Sequence, residues 1–503
     1  MINLLKGVDF RHYYRIPHIE ITQMKKTILA VAALLSLICC KPKTQAPVHP
    51  EWTYSSVIYE VNVRQFSPEG TFKAVEAQLP RLEELGVDVL WFMPMYKIGE
   101  VERKGSLGSY YAISDYREVN PEFGTMKDFE ELLNAAHEYG FKVILDWVAN
   151  QTAPDHVWMN SRPADFYERD SLGNAIWEYD WTDTRSLNYE NEAVWAAQDS
   201  CMRFWLDKGV DGFRCDAAGE VPAKFWEGIL PQMNADYPDI YLLAEAERDN
   251  LADATQTFDA NYAWELHHLL NACAQGRRTV GDLRDYITRD ANRFPWEAFR
   301  LTFTSNHDEN SWNGTEFERE GDAADVCAVL CFTLPQSQPL VYTGQEIGLS
   351  RRLAFFEKDP ITDWSANEFT DFYKRLIALK HENPALAAGE RGGQIEYFEA
   401  PDGVLAFSRS VPGNSVVVLA NFGIAPASLD AGKPAEDFNP VAASANAGAA
   451  DNVPPILFRN LEAPAATVTL PLKGRYTDWF TGEKHRGKTT LTLAPGEYIV
   501  LTK

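Results

Sequence analysis

From residue 53 onward the apolar positions of this chain switch period repeatedly. Short apolar runs alternate with stretches whose apolar residues recur every three or four positions. The runs predict strands and the longer-period stretches predict helices. Val57 to Val63 reads as a first strand. Phe72 to Gly86 reads as a helix, with Leu79, Leu82 and Leu85 on one face and a glycine to close it. Val87 to Met93 is a second strand, stopped by Pro94. A helix at Phe129 to Tyr139 leads to a third strand, Lys142 to Trp147, and a helix at Val194 to Leu206 leads to a fourth, Val210 to Asp216. Further strands are expected at Ile240 to Ala244, Thr257 to Asp259 (the weakest), Leu301 to Ser305 and Leu340 to Thr343.

Eight such repeats over roughly 330 residues predict an α/β fold, a (β/α)8 TIM barrel spanning 53–385. An open doubly wound sheet would usually carry a Gly-rich phosphate loop after its first strand, and the sequence has none there. The connection after the third strand, 148–193, is long enough to read as a small lobe over the barrel mouth. Past a helix at Glu368 to Glu382 the pattern turns to short strands and turns, among them Gly403 to Phe407, Ser415 to Leu419, Thr467 to Leu470, Thr489 to Leu493 and Tyr498 to Leu501. This predicts a C-terminal all-β sandwich domain over 386–503, read as a support for the barrel, with Ala- and Pro-rich 431–455 as an insertion.

The N-terminus follows neither pattern. Residues 1–23 are mixed and polar, and they read as a mis-assigned start upstream of Met24. Met24-Lys25-Lys26 opens a signal-like segment, 24–40, whose apolar run from Ile28 to Ile38 is short for a bilayer span. Its end, Leu37-Ile38-Cys39-Cys40, resembles a bacterial lipoprotein cleavage box with Cys40 as the lipidated residue. Residues 41–52 read as a tether. The expected location is the cell envelope, lipid-anchored at a periplasmic face or the cell surface, with the membrane as a partner through that anchor.

Composition narrows the function. The 503 residues are 45% apolar and 24% charged, which are globular values. A net charge of −25 argues against nucleic acid as a partner, since phosphates demand a basic face. Seven cysteines with no C-x-x-C pair indicate neither a zinc ribbon nor a disulfide framework, and Cys327 and Cys331 read as buried thiols on a helix.

The candidate chemistry lies at strand ends, where barrels of this kind converge their polar side chains. In Gly212-Phe213-Arg214-Cys215-Asp216, positions i and i+2 share a face, so Arg214 and Asp216 project together. A neighbouring cation favours an ionised carboxylate, as a covalent nucleophile requires. A plain strand-end ion pair is the alternative. Strand three ends at Asp146, with Asn150 and Gln151 following; strand five ends in Glu245; strand seven in Asn306-His307-Asp308. One ionised and one protonated carboxyl about 5 Å apart is the equipment of retaining glycoside hydrolysis.

These motifs, in this order, resemble those of the α-amylase superfamily, glycoside hydrolase family 13. The resemblance covers roughly residues 55–503 and includes Gly86 to Pro94, Ser109 to Tyr116 and Leu187-Asn188. It implies Asp216 as nucleophile, with Arg214 its partner, Glu245 as general acid/base, and Asp308 as a third carboxylate that binds and distorts the sugar. It implies Tyr111, Asp146, Gln151, Arg214 and His307 in substrate binding. Gln151 stands where the family usually has His; it still offers a donor and an acceptor but takes no positive charge. Asn150 matches a calcium ligand of many relatives, so a structural calcium stays open while the chemistry itself calls for no cofactor. Burial and like charges are expected to raise the pKa of Glu245, and Arg214 to keep that of Asp216 low. Trp147, Trp177, Tyr179 and Trp181 are candidate sugar platforms, with core packing the plainer reading of each. The expected substrate is a starch-like α-1,4-glucan or maltooligosaccharide. Exo-glucosidase, cyclodextrin hydrolase and glucanotransferase action, and a non-catalytic glucan-binding barrel, stay open beside it.

Overall fold

Eight parallel strands close on themselves: β1 Ile58–Val61, β2 Val89–Phe92, β3 Lys142–Val148, β4 Gly212–Asp216, β5 Tyr241–Ala244, β6 Ala260–Tyr262, β7 Phe299–Thr302 and β8 Ser337–Tyr342. Each pairs with its sequence neighbours, and β8 returns to β1 through Ile58↔Leu340. The computed structural model describes residues 48–253, 256–423 and 464–503. The expected start, signal segment and Cys40, residues 41–47 of the expected tether, and 431–455 lie outside the described residues.

The strands read as unbroken apolar runs because both of their faces are buried. Ile58, Val89, Trp91, Ile144, Leu243 and Leu301 fill the barrel, while Tyr59, Leu90, Val143, Phe213 and Leu242 pack outward on the helices. Three expectations shift. The weak sixth strand begins at Ala260, not Thr257, because Asp259 turns its carboxylate onto the Leu242 N–H at 2.8 Å before the ladder starts. The seventh begins two residues early, at Phe299. The helix expected over 72–86 is two, Phe72–Glu76 and Leu79–Leu85, since Pro80 lacks the N–H that continuity needs and suits the first turn of a new helix.

Residues 48–52, read as the end of a tether, are packed instead beneath the barrel. His49 Nδ1 pairs with Asp259 Oδ1 at 2.7 Å, its Nε2 meets the Glu297 carbonyl at 2.8 Å, and its ring lies on Phe299. Trp52 packs on Tyr241 under the cation of Lys142. Asp259, Glu297, Tyr241 and Lys142 all stand at strand entries, so this plug seals the N-terminal pole.

The connection after β3 is a lobe closed at its base by a short pairing, Gln151–Thr152 with Arg185–Ser186. Before it, the connection after β2 folds an unexpected hairpin, Tyr96–Ile98 with Ile113–Val119, that carries Tyr111 toward the mouth. The C-terminal all-β domain is a six-stranded antiparallel sheet, built from β9 Ile395–Tyr397, β10 Val404–Val411, β11 Asn414–Asn421, β12 Ala466–Asp478, β13 Lys484–Leu493 and β14 Tyr498–Thr502 in the order β9-β10-β11-β14-β12-β13. Leu405, Phe407, Val416 and Val418 join the barrel core, and Val417, Leu419, Val468 and Leu470 form a second core on the other face.

Candidate active site

Strand register builds the centre of the mouth. β3 and β4 align Asp146 with Arg214 and Val148 with Asp216, so these polar side chains enter the barrel as neighbours. Gly212 makes this possible, because a Cβ there would stand 1.9 Å from the Tyr241 carbonyl oxygen of β5. Arg214 is fully buried and touches three carboxylates: Asp146 at 2.9 Å, Asp216 at 3.0 Å and Glu245 at 2.9 Å. Its Nε donates to the Tyr262 hydroxyl at 3.1 Å, and its guanidinium lies 5.0 Å from the Trp91 ring centre.

Glu245 follows β5, its backbone N–H on the Cys215 carbonyl and its Oε2 accepting the Ala217 N–H at 2.8 Å. Ala217 reaches it from a left-handed backbone, φ 41°, directly after Asp216; such strain persists where surrounding structure holds it. Tyr111 lays its ring parallel to His307 and shares its hydroxyl between His307 Nε2 at 2.7 Å and Asp146 Oδ2 at 3.1 Å. His307 Nε2 is also 3.3 Å from Asp308 Oδ2, and its Nδ1 is held by the buried Glu60 of β1. Seven of the eight residues expected at the site, Tyr111, Asp146, Arg214, Asp216, Glu245, His307 and Asp308, thus form one linked cluster. Gln151, the eighth, lies buried at the start of the lobe, paired in register with Ser186, and nothing among the described residues hydrogen-bonds to its Oε1.

The electrostatics differ from expectation. Burial pushes Asp216 well up from its ordinary value, the neighbouring Glu245 pushes the same way, and Arg214 opposes both. One guanidinium shared by three carboxylates does not hold Asp216 low. Burial likewise raises Asp146 to about 6 against the pull of Arg214, and raises Asp308 to about 6 against that of His307. His307 rises to about 9: burial works against its charge, and the carboxylates of Asp308 and Glu60 outweigh it. The mouth therefore favours the charged form of His307 and the protonated forms of Asp146, Asp216 and Asp308.

Asn150 is buried; its side-chain amide donates to Glu178 at 3.2 Å, and its backbone carbonyl accepts from the Leu187 N–H. Calcium takes six to eight oxygens, of which the structure places the Glu178 carboxylate beside Asn150. Among the described residues no group of three or more His, Cys, Asp or Glu is gathered to hold a metal. Of the candidate platforms, Trp147 is wholly buried with its indole on Gln198, whereas Trp177 and Tyr179 are exposed on the lobe and Tyr179 packs edge-on to Trp181. Sequence reasoning passed over Glu60, Trp91 and Tyr262, which hold His307, Asp146 and Arg214. The one signal for Glu60 was a lone charge inside an apolar strand.

A (β/α)8 barrel with a carboxylate cluster at the C-terminal ends of β3, β4, β5 and β7 defines a class of glycosidase-like catalytic domain. Comparison with known proteins gives the family. Residues 52–376 match the model of the alpha amylase catalytic domain. The chain is 31% identical over 395 residues to alpha-amylase MalA of Haloarcula japonica, and 36% identical over 415 residues to an alpha-1,4-glucan:maltose-1-phosphate maltosyltransferase of Cereibacter sphaeroides. These alignments take in 76% and 74% of this chain, and 57% and 66% of those relatives. Among solved structures, an alpha-amylase from Lactobacillus plantarum superposes with a TM-score of 0.73 at 28% identity, covering 89% of this chain and 99% of that one. The chain belongs to the α-amylase family, and its barrel is an α-amylase-type glycosidase domain.

Proposed function

We propose that the protein hydrolyses α-1,4-glucosidic bonds in starch-like glucans or maltooligosaccharides with retention of configuration, through a covalent glycosyl-enzyme. The observation that carries this is Arg214 bridging Asp216 and Glu245, which keeps both carboxyls within reach of one glycosidic bond. In this reading Asp216 attacks the anomeric carbon while Glu245 protonates the departing oxygen, then activates water for the second step. Asp308 and the charged His307 bind sugar hydroxyls, Tyr111 stacks on the ring, Asp146 and Arg214 orient the nucleophile, and Gln151 offers its unpartnered Oε1 to a hydroxyl. No step depends on calcium.

The Cereibacter relative favours a second reading, in which a sugar rather than water accepts the glycosyl group. Product analysis on maltoheptaose separates the two. Short maltooligosaccharides, released first as the α-anomer by NMR, are expected from the wild type, with a rate loss of about 10²–10⁴-fold in Glu245→Gln. Products longer than the substrate would mean transfer, glucose alone would mean exo action, and an initial β-anomer or no turnover would overturn the proposal. We infer as well, from sequence alone, that Cys40 carries a lipid that holds the protein at the cell envelope. Loss of labelled palmitate incorporation in Cys40→Ala tests this.

A further inference from the structure

The cations of this acidic chain are unevenly spread. Residues 464–503 carry six lysines and arginines against three carboxylates, in a protein whose net charge is −25. All six cations are exposed. Five lie on the hairpin of β12 and β13, and the sixth, Lys503, donates its Nζ to the Lys473 carbonyl of that hairpin at 2.8 Å. Register gathers them on one face. Arg475 stands directly opposite Arg486, Pro471 opposite Lys488, and Thr477 opposite Lys484. The face continues in two threonine pairs, Thr467 with Thr492 and Thr469 with Thr490, joined hydroxyl to hydroxyl. It is exposed along its length, while Val468, Leu470 and Tyr476 turn inward to the core of the β domain.

The carboxylates of this segment do not answer the cations. Asp478 is buried and accepts the Phe480 and Thr481 N–H groups of the hairpin turn. Glu483 lies in that turn, and Glu497 precedes β14. Glu399, after β9, meets the face only at its rim, in a groove beside Lys488. Like charges set directly opposite destabilise a hairpin, and an anion outside the protein offsets that cost at Arg475 and Arg486. The place of the stripe is also defined. Lys503 exchanges backbone hydrogen bonds with Ser415, and Tyr476 donates its hydroxyl to Ser415 Oγ at 3.1 Å. Next to Ser415, Asn414 accepts the Ala385 N–H at 3.0 Å, and the nearby Ala388 N–H donates to the Tyr54 carbonyl beside the plug. The cations therefore gather toward the strand-entry pole, away from the carboxylates of the mouth.

We propose that this hairpin face docks on an anionic phospholipid surface. The inference depends neither on the hydrolase reading nor on the lipid proposed at Cys40. A stable protein partner calls for aromatic or aliphatic anchors at the centre of the contact, where lysine is disfavoured, and this face offers Pro471 alone. Single-stranded nucleic acid calls for rings that stack on bases, and the face has none. The inner side of the hairpin is committed to the β-domain core, so it does not project into a duplex groove. A layer of phosphate headgroups asks only for exposed cations and hydroxyls on one side of the molecule. Docking there leaves the mouth uncovered.

The test is co-sedimentation of the full chain with vesicles, in a Cys40→Ala background so that the lipid proposed there is absent. The protein is expected to bind vesicles of equal parts phosphatidylglycerol and phosphatidylcholine at about 0.1 M salt. It should bind pure phosphatidylcholine far less, and leave the anionic vesicles at about 1 M salt. Arg475→Gln with Arg486→Gln should weaken partition into the anionic vesicles about thirtyfold, the effect of two surface cations. Lys127→Gln with Lys224→Gln removes the same charge from exposed positions elsewhere and should leave partition unchanged. Thermal unfolding shows that the fold is kept, and the arginine variant should be at least as stable as its parent. Equal losses in the two double variants would mean that net charge alone governs binding, and equal binding to both vesicle types would mean that charge plays no part; either overturns the proposal. Displacement from the vesicles by duplex DNA at equal phosphate would give the stripe to nucleic acid instead. A lipid-free dimer that the arginine variant breaks would give it to a second copy.

Discussion

His307 gives the mouth its pH limits. It rises to about 9 because Asp308 and Glu60 outweigh the cost of burial, and Asp308 and Asp146 rise to about 6 because burial outweighs their cationic neighbours. Activity in kcat/KM is expected to rise through about pH 6 as the carboxylates ionise and to fall through about pH 9 as His307 loses its charge. His307→Gln should abolish the alkaline limb and shift the acid limb upward, since the cation that pulls Asp308 and Asp146 down is gone; a profile with both limbs in place would mean that other groups set it. Stability follows the same signs. The folded pKa of His307 lies above its unfolded value, so its contribution is whole below pH 6.5 and is lost as pH rises through about 9. For the two raised carboxylates the contribution present at low pH is lost as pH rises through about 6, which makes them a cost at neutrality. Urea unfolding of wild type and His307→Gln at pH 6 and pH 9.5 reads the histidine effect; the stability gap between them should shrink at the higher pH.

Among the elements, β4 is the most constrained. Its Gly212 lies against the β5 backbone, so Gly212→Ala must push the strands apart and carry Arg214 out of register. A loss of about 1–3 kcal/mol is expected, with activity falling further than stability. Chemical unfolding beside a rate assay checks this. Removing one partner of a buried polar contact also costs, so His267→Ala, which leaves Glu309 to the Asn313 amide and to Arg319 at 3.9 Å, should cost about 1–3 kcal/mol in the same unfolding assay. The strand ends were legible because period-2 geometry and chemistry coincide there. Arg214 and Asp216 had to share a face, and the carboxylates at strands three, five and seven had to meet at one pole. The hairpin 96–119 was not legible, because its pairing is irregular and alternation is lost. Nor was the cationic face of β12 and β13, since only the pairing register sets Arg475 opposite Arg486. The proton balance was misread for a related reason. Adjacency placed a cation beside Asp216, but only the fold shows that Asp146 and Glu245 draw on the same guanidinium.

At the scale of the whole molecule, the β domain and the barrel are joined through Arg409 of β10. It is wholly buried, no carboxylate pairs with it among the described residues, and burial lowers it to about 9. Its guanidinium instead donates to the carbonyls of Gly393, Thr333, Leu334 and Ala387, capping the helix Ala324–Thr333 that β11 and β14 pack against. Arg409→Leu leaves these carbonyls unpaired in the junction. A loss of about 1–3 kcal/mol is expected, with the single calorimetric transition splitting into two as the domains lose their coupling. A single transition at the wild-type temperature would show that the sheet is held by its apolar face alone.

The plug of His49 and Trp52 bears on where the mouth looks. It fixes the chain at the strand-entry pole, and the carboxylates open at the other. Val48, where the described chain starts, therefore stands at the pole opposite the carboxylates. A break in the plug would therefore loosen strand entries on the far side of the barrel from the reacting bond, and be felt in stability before rate.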